Sequence, residues 1–261
     1  HHNDFLAGGD GNDQLWAGSD DTGQDTMAGG AGDDIIGGGV GHDLLIGDYV
    51  FGDYGHAAFG HFFRSLFDSN DAARSAGTLA PDGNDRLYGG DGNDVIIVVS
   101  DEDVARGGNG DDLIQMGNSD VGEHIGNTDI SGGCGDDTLS FAYYDDGNLD
   151  IDLAAGLVER GGYTDTLEGI EAVIGSSCND TIRSSSCNDT IAGGAGCDDF
   201  VFAANSGADV ITDFTRGEDT IDFSAQLLDF GDLVITAVAG GAQVATPDGS
   251  TIFLVGANAD A

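Results

Sequence analysis

The feature that most constrains this chain is a nine-residue unit that recurs in phase along most of its length. Its clearest copy is GGDGNDQLW, Gly8 to Trp16. It returns as GGAGDDIIG from Gly29, GGVGHDLLI from Gly38, APDGNDRLY from Ala80, GGDGNDVII from Gly89, GGNGDDLIQ from Gly107 and GGCGDDTLS from Gly132. Later copies are GSSCNDTIR from Gly175, SSSCNDTIA from Ser184 and GGAGCDDFV from Gly193, and two worn copies carry Asp25 with Met27 and Asp103 with Ala105. The sixth position is always Asp: Asp13, Asp25, Asp34, Asp43, Asp85, Asp94, Asp103, Asp112, Asp137, Asp180, Asp189 and Asp198. Two residues on, the eighth position is large and apolar in every copy but that of Ala105. A flexible Gly/Asp linker would not hold that register. A repeat of this period must stack, because one unit cannot bury its apolar residue alone.

The residue types suggest what the unit does. The glycines allow a tight turn over the first six residues and leave carbonyl oxygens uncovered. The last three residues suit a short strand with one side chain turned inward. Calcium takes six to eight oxygen ligands, so one carboxylate and a few turn carbonyls supply part of a shell that a second turn must complete. Charge points the same way. The 261 residues hold 48 Asp plus Glu against 7 Lys plus Arg, a formal net charge of -41. Such a chain resists collapse unless cations offset it, and it repels nucleic acid.

GGxGxDxUx resembles the RTX, or haemolysin-type calcium-binding, repeat. The resemblance implies an all-β fold: a calcium-loaded parallel β-roll, an RTX solenoid, with insertions and a C-terminal β cap. It also implies that two nonapeptides make one coil, so that each ion bridges turns about 18 residues apart when nothing intervenes. The expected ligands are the twelve sixth-position aspartates with carbonyls at Gly9, Gly11, Gly30, Gly32, Gly39, Gly41, Gly90, Gly92, Gly108, Gly110, Gly133, Gly135, Gly194 and Gly196, holding several Ca2+ ions. The expected turn neighbours are Asp13 with Asp34, Asp25 with Asp43, Asp85 with Asp103, Asp94 with Asp112, and Asp180 with Asp198. If the segment after Ile46 loops out, Asp34 and Asp85 also become neighbours, as do Asp43 and Asp94.

Energetics make folding depend on the ion. Burying one Leu or Ile per unit contributes roughly 1.5–3 kcal/mol, whereas ordering nine residues costs on the order of 1–2 kcal/mol each. Ion binding has to offset the difference.

The organisation read from the repeats is 1–46, first block; 47–79, an aromatic insertion; 80–140, second block; 141–174, a β insertion similar to the DLaaG…DTLeGIE segment found between RTX blocks; 175–202, third block; and 203–261, a C-terminal β capping region. The aromatic insertion, with His56, His61 and Arg64, reads as a small satellite core with a short helix. Its sharper reading is a surface for a carbohydrate or protein partner through residues such as Tyr54 and Phe62, and a zinc site at His56 and His61 is the weakest. Residues 117–131, with Asp120, Glu123, His124 and Asp129, read as an expanded, solvated coil. After Phe200, the chain resembles the region beyond the last repeats of serralysin-type proteins, with Asp209, Asp213, Asp219 and Asp222 as candidate late ligands. Residues 233–255 read as a hairpin around PDGS.

The cysteines form no CxxC pair or dense framework. Cys178 and Cys187 displace a turn glycine. Cys178 and Cys197 fall one coil apart on one edge, which leaves a disulfide between them open; Cys134 reads as free. No apolar run is long enough to span a membrane. The chain has no HExxH, GxSxG or GxxxxGK[ST] sequence, and paired acids read as calcium ligands before a glycosidase dyad. Two functions remain. One is a non-catalytic, calcium-folded module of a secreted or cell-surface bacterial protein, structural or adhesive. The other is the non-catalytic C-terminal part of a secreted hydrolase or lyase whose catalytic domain lies upstream. The resemblance adds type I secretion: a chain unfolded at low cytosolic calcium that folds in the calcium outside the cell.

Overall fold

A computed structural model describes residues 2–19, 22–47, 83–98, 102–117, 126–144 and 147–257. Expectations that fall on Tyr54, His56, His61, Phe62 and Arg64, or on Asp120, Glu123 and His124, lie outside the described residues. The first strands are β1 (Phe5–Asp10), β2 (Gln14–Trp16), β3 (Thr26–Ala31), β4 (Ile35–Val40) and β5 (Leu44–Ile46). β6 (Arg86–Asp91), β7 (Val95–Val98), β8 (Val104–Asn109), β9 (Leu113–Met116), β10 (Asp129–Cys134) and β11 (Thr138–Ser140) follow. Then come β12 (Asp150–Asp152), β13 (Leu157–Arg160), β14 (Tyr163–Glu168), β15 (Ala172–Ile174), β16 (Thr181–Arg183), β17 (Thr190–Ala192), β18 (Asp199–Val201), β19 (Ala208–Ile211) and β20 (Thr220–Asp222). The last are β21 (Val234–Val238), β22 (Gly241–Ala245) and β23 (Thr251–Val255).

Successive strands alternate between two sheets, so each nonapeptide supplies one strand and one turn. One sheet runs β1-β3-β5-β7-β9-β11-β15-β17-β19-β23-β22-β21, the other β2-β4-β6-β8-β10-β14-β13-β12-β16-β18-β20. Within the repeats every pairing is parallel and in register: Met27 lies beside Leu45, Leu45 beside Ile96, and Ile96 beside Ile114. The chain is therefore the parallel β-roll that the repeat implies. β4 pairs directly with β6 and β5 with β7, so the coils before and after residues 48–82 stack without a gap.

The core lies between the sheets and is one side chain wide in the repeats. Met27, Ile36, Leu45, Leu87, Ile96, Ala105, Ile114, Ile130 and Leu139 are all fully buried. Alternation along each short strand dictates this, because only the eighth position faces inward. Farther along, aromatics thicken the core: Phe200 packs on Phe214 and Phe202 on Phe223, with ring centroids 6.3 and 6.0 Å apart.

Two later segments differ from the plain coil. β12 and β13 form an antiparallel hairpin inserted into the second sheet, while β14 returns to pair in parallel with β10 and β15 rejoins the first sheet beside β11. The final strands are antiparallel: β22 and β23 flank the Pro247–Ser250 turn, and β21 is added outside them. β23 pairs in parallel with β19, so this cap extends the roll's own sheet. All five residues of β21 are exposed.

Candidate metal centre

The sixth-position aspartates line the two edges of the roll, where the chain crosses between sheets. Their carboxylates are tied to the coil before. Asp13 N–H donates to Asp34 Oδ1 at 2.8 Å, Asp25 N–H to Asp43 Oδ1 at 2.8 Å, and Asp85 N–H to Asp103 Oδ1 at 2.7 Å. Asp94 N–H donates to Asp112 Oδ1 and Asp180 N–H to Asp198 Oδ1, each at 2.8 Å. Across the insertion, Asp34 N–H reaches Asp85 Oδ1 at 2.8 Å and Asp43 N–H reaches Asp94 Oδ1 at 2.6 Å. The neighbours are those the period names, because the insertion leaves the stacking unbroken.

The second carboxylate oxygen is the telling one. Oδ2 of Asp13, Asp25, Asp34, Asp94, Asp112, Asp137 and Asp209 is buried and accepts no hydrogen bond among the described residues. An unmet buried charge of this kind is costly. Those of Asp13, Asp34, Asp94, Asp112 and Asp137 each lie near a carbonyl from the next turn on their edge. A β-carbon placed on Gly89 would lie 2.3 Å from Asp94 Oδ2 and 2.5 Å from the Gly107 carbonyl oxygen. One on Gly107 would lie 2.2 Å from Asp112 Oδ2 and 2.5 Å from the Gly132 carbonyl oxygen. The donor set is thus all oxygen, half of it backbone, and shared between successive turns, which suits a hard cation such as calcium. Among the described residues no three His, Cys, Asp or Glu side chains converge, so the carbonyls are needed to complete a shell.

Glycine makes this cradle. All fourteen turn glycines expected to bare their carbonyls have positive φ, from 96° at Gly194 to 152° at Gly41. Gly92 shows why no other residue serves: with φ +139°, its β-carbon would stand 1.3 Å from the Gly41 carbonyl oxygen.

Burial, first, and then the like charges of neighbouring carboxylates push Asp94 up to about 7, against a stabilising hydrogen bond from the Asp43 N–H. Burial likewise raises Asp112, Asp198 and Asp209 to about 6, and it lifts Asp34, Asp137, Asp180 and Asp189 above the ordinary carboxylate range. In each case burial, which disfavours the charged form, is the largest cause.

A second set of edge contacts is not signalled by the aspartates. The fifth-position side chain accepts from the coil after it, the reverse of the sixth. Asn84 N–H donates to Asp33 Oδ1 at 3.1 Å, Asn93 N–H to His42 Nδ1 at 2.6 Å, Asp111 N–H to Asn93 Oδ1 at 3.0 Å, and Asp136 N–H to Asp111 Oδ1 at 3.1 Å. The signal is in the sequence, where nine of the twelve copies have Asn, Asp or His at that place.

Among the late candidates, Asp209 continues the sixth-position row, accepting from Asp189 N–H at 3.0 Å. Asp219 does so on the other edge, accepting from Asp198 N–H at 3.1 Å. Asp213 instead receives Gly193 N–H and Gly194 N–H, and Asp222 receives Ser224 N–H. Asp129 points outward to Arg106, which lowers its pKa. The disulfide left open for Cys178 and Cys197 is not formed, and all four cysteines are free.

Comparison with known proteins bears directly on these turns. The family model of the RTX calcium-binding nonapeptide repeat (4 copies) matches residues 2–21, 19–45 and 82–114. The repeats are RTX calcium-binding nonapeptides. A second model, the peptidase M10 serralysin C terminal, matches residues 128–244, which take in the turns of Asp180, Asp189 and Asp198. Regions of both kinds are typically non-catalytic and belong to proteins exported by type I secretion. No curated protein sequence matches the chain. Among solved structures, the extracellular lipase LipA from Serratia marcescens is similar at 14% identity with a TM-score of 0.28, the match covering 90% of this chain and 66% of the lipase chain. This chain thus spans just under two thirds of the lipase's length. No described helix is long and apolar enough to cross a membrane.

Proposed function

We propose that the chain is a calcium-folded support module of a secreted bacterial protein, itself without catalytic machinery. The observation that carries this reading is the row of buried Oδ2 atoms without a donor among the described residues, those of Asp13, Asp34, Asp94, Asp112 and Asp137 lying near a glycine carbonyl of the next turn. The sixth-position aspartates of the glycine turns, Asp13, Asp34, Asp43, Asp94, Asp112, Asp137 and Asp198, and with them Asp25, Asp85 and Asp103, would supply one carboxylate each, and the turn glycines their carbonyl oxygens. Calcium, when bound, supplies the positive charge that the buried carboxylates lack. The residues themselves do the rest: positive-φ glycines bring carbonyl and carboxylate within reach, and the Oδ1 hydrogen bonds orient each aspartate in the stacked roll.

The match of residues 128–244 to the serralysin C-terminal region favours the second sequence-level reading, in which the module is carried by a secreted hydrolase or lyase, over a purely adhesive role. Extracellular location and export by type I secretion belong to the same reading, as does a domain division at 47–79, 141–174 and 203–261. A partner for the aromatic segment 47–79 stays a separate proposal, tested by glycan binding of the protein and of its Phe62→Ala variant.

The test of the module is a calcium titration of the metal-stripped protein followed by circular dichroism and isothermal calorimetry. A cooperative gain of β signal with several ions bound supports it. A β spectrum that does not change between calcium and chelator would sink it.

A further inference from the structure

Three edge carboxylates are answered by the chain itself. Asp165 stands where a sixth-position aspartate would stand, accepting Thr128 N–H at 2.8 Å. Arg160 grips it from the inserted hairpin, with Nε to Oδ2 at 2.5 Å and Nη2 to Oδ1 at 3.2 Å. Both side chains are buried, at 3% and 0% exposure, so this turn already holds a positive charge. Asp180 and Asp189 are answered by serine. Ser176 N–H and Ser185 N–H each donate at 2.6 Å to the Oδ2 of Asp180 and Asp189. Their hydroxyls donate to the two Oδ1 atoms at 3.1 and 3.0 Å. Neither Oδ2 is among the buried oxygens without a donor, whereas that of Asp94 is.

Sequence explains the difference. Gly90 and Gly92 sit at positive φ in the second and fourth places of their turn. Ser176 and Cys178, like Ser185 and Cys187, hold those places without it. An L-residue avoids that region, so the turn closes another way and brings the second-position N–H onto the carboxylate. The core changes in parallel. The serine turns lead to Ile182 and Ile191, and the core thickens just beyond them, where Phe200, beside Ile182, packs on Phe214 and Phe202 packs on Phe223.

We propose that residues 147–257 are a calcium-independent unit of the roll, in which Arg160, Ser176 and Ser185 do what the ion does elsewhere, and that removing calcium unfolds only the coils before it. The inference rests on the calcium-coupled folding proposed above. Asp209, whose Oδ2 still lacks a donor, and Asp198, whose turn keeps Gly194 and Gly196 at positive φ, leave two places in the unit where calcium adds stability without being required.

Hydrogen–deuterium exchange on the full chain, with calcium and with chelator near neutral pH, tests it. In chelator, β16 and β17 should keep their protection within about 10-fold, while amides of β6 to β9 should lose ~100-fold or more. Loss in both segments together would overturn the inference and leave calcium-coupled folding standing. Retention in both would overturn calcium-coupled folding, and the inference with it. Restoring glycine turns with Ser176→Gly, Cys178→Gly, Ser185→Gly and Cys187→Gly should make β16 and β17 lose protection in chelator and regain it in calcium. A restored variant that stays as protected in chelator as the parent chain would also refute the serine role.

Discussion

Protons should replace calcium in folding the coils that calcium folds. The perturbation is acidification of the metal-free protein. Asp94 and Asp112 lie in successive turns, linked by the Asp94 N–H bond to Asp112 Oδ1, and are 1% and 2% exposed. Burial raises them from 3.8 to about 7 and about 6. At ~1.36 kcal/mol per pKa unit, ionising them in the fold costs about 4 and 3 kcal/mol. Either cost alone is a large share of a domain's marginal stability. The folded state binds more protons than the unfolded one between 3.8 and about 7. The metal-free fold is therefore unpenalised below 3.8 and is lost as pH rises through 6 to 7. With calcium present the sign reverses, because protons compete with the ion for the same oxygens. Protein stripped on a chelating resin and taken from about pH 7.5 to about pH 4.5, just above the sequence pI of 4.1, should gain β signal by circular dichroism and protection over residues 83–117. The calcium midpoint should rise over the same range. A metal-free β signal that stays flat or falls on acidification would refute the reasoning.

Other expectations follow from single residues. Asp112→Asn keeps an acceptor for the Asp94 N–H but removes the charge, so it should raise the calcium midpoint measured by titration while making the metal-free protein less sensitive to pH between about 4 and 6. Ile114→Ala empties a fully buried position in a core one side chain wide and should cost ~2–5 kcal/mol in urea denaturation with saturating calcium. Gly92→Ala forces a β-carbon onto the Gly41 carbonyl at φ +139° and should lower stability by more than about 1 kcal/mol, with amide exchange loosened first at the Asp43 and Asp94 turns. Arg160→Met leaves Asp165 buried without its cation and should cost about 3–5 kcal/mol, seen as lost protection across β13 and β14.

The fold is legible because the repeat carries its own register. Asp at the sixth position and an apolar residue at the eighth set the turn, the inward side chain and the pairing partner together. Even the bypass of residues 48–82 follows from the period, since Asp34 and Asp85 keep the same place in their units. What the repeat does not carry is legible only in part. Arg160 meets Asp165 through the hairpin of β12 and β13, a long-range contact that no nonapeptide encodes. The serine turns look weak in sequence because glycine is missing from them. The structure shows them instead as turns closed by their own hydrogen bonds, since a side chain that forbids one backbone path supplies donors for another. The cap reads in sequence as two strands around PDGS; the third, β21, pairs antiparallel outside β22 with all five residues exposed, so no buried alternation marks it.

The two opposed rows of edge contacts have a mechanical meaning. Each coil is lashed backwards by one side chain and forwards by its neighbour in sequence, as at His42 and Asp43, which receive the N–H groups of Asn93 and Asp25. A pull along the roll's long axis loads both lashings at every coil at once, so the stack resists stretching as a single spring. A pull that peels one end meets them one coil at a time. Such a module bears tension well along its length and yields from its tip.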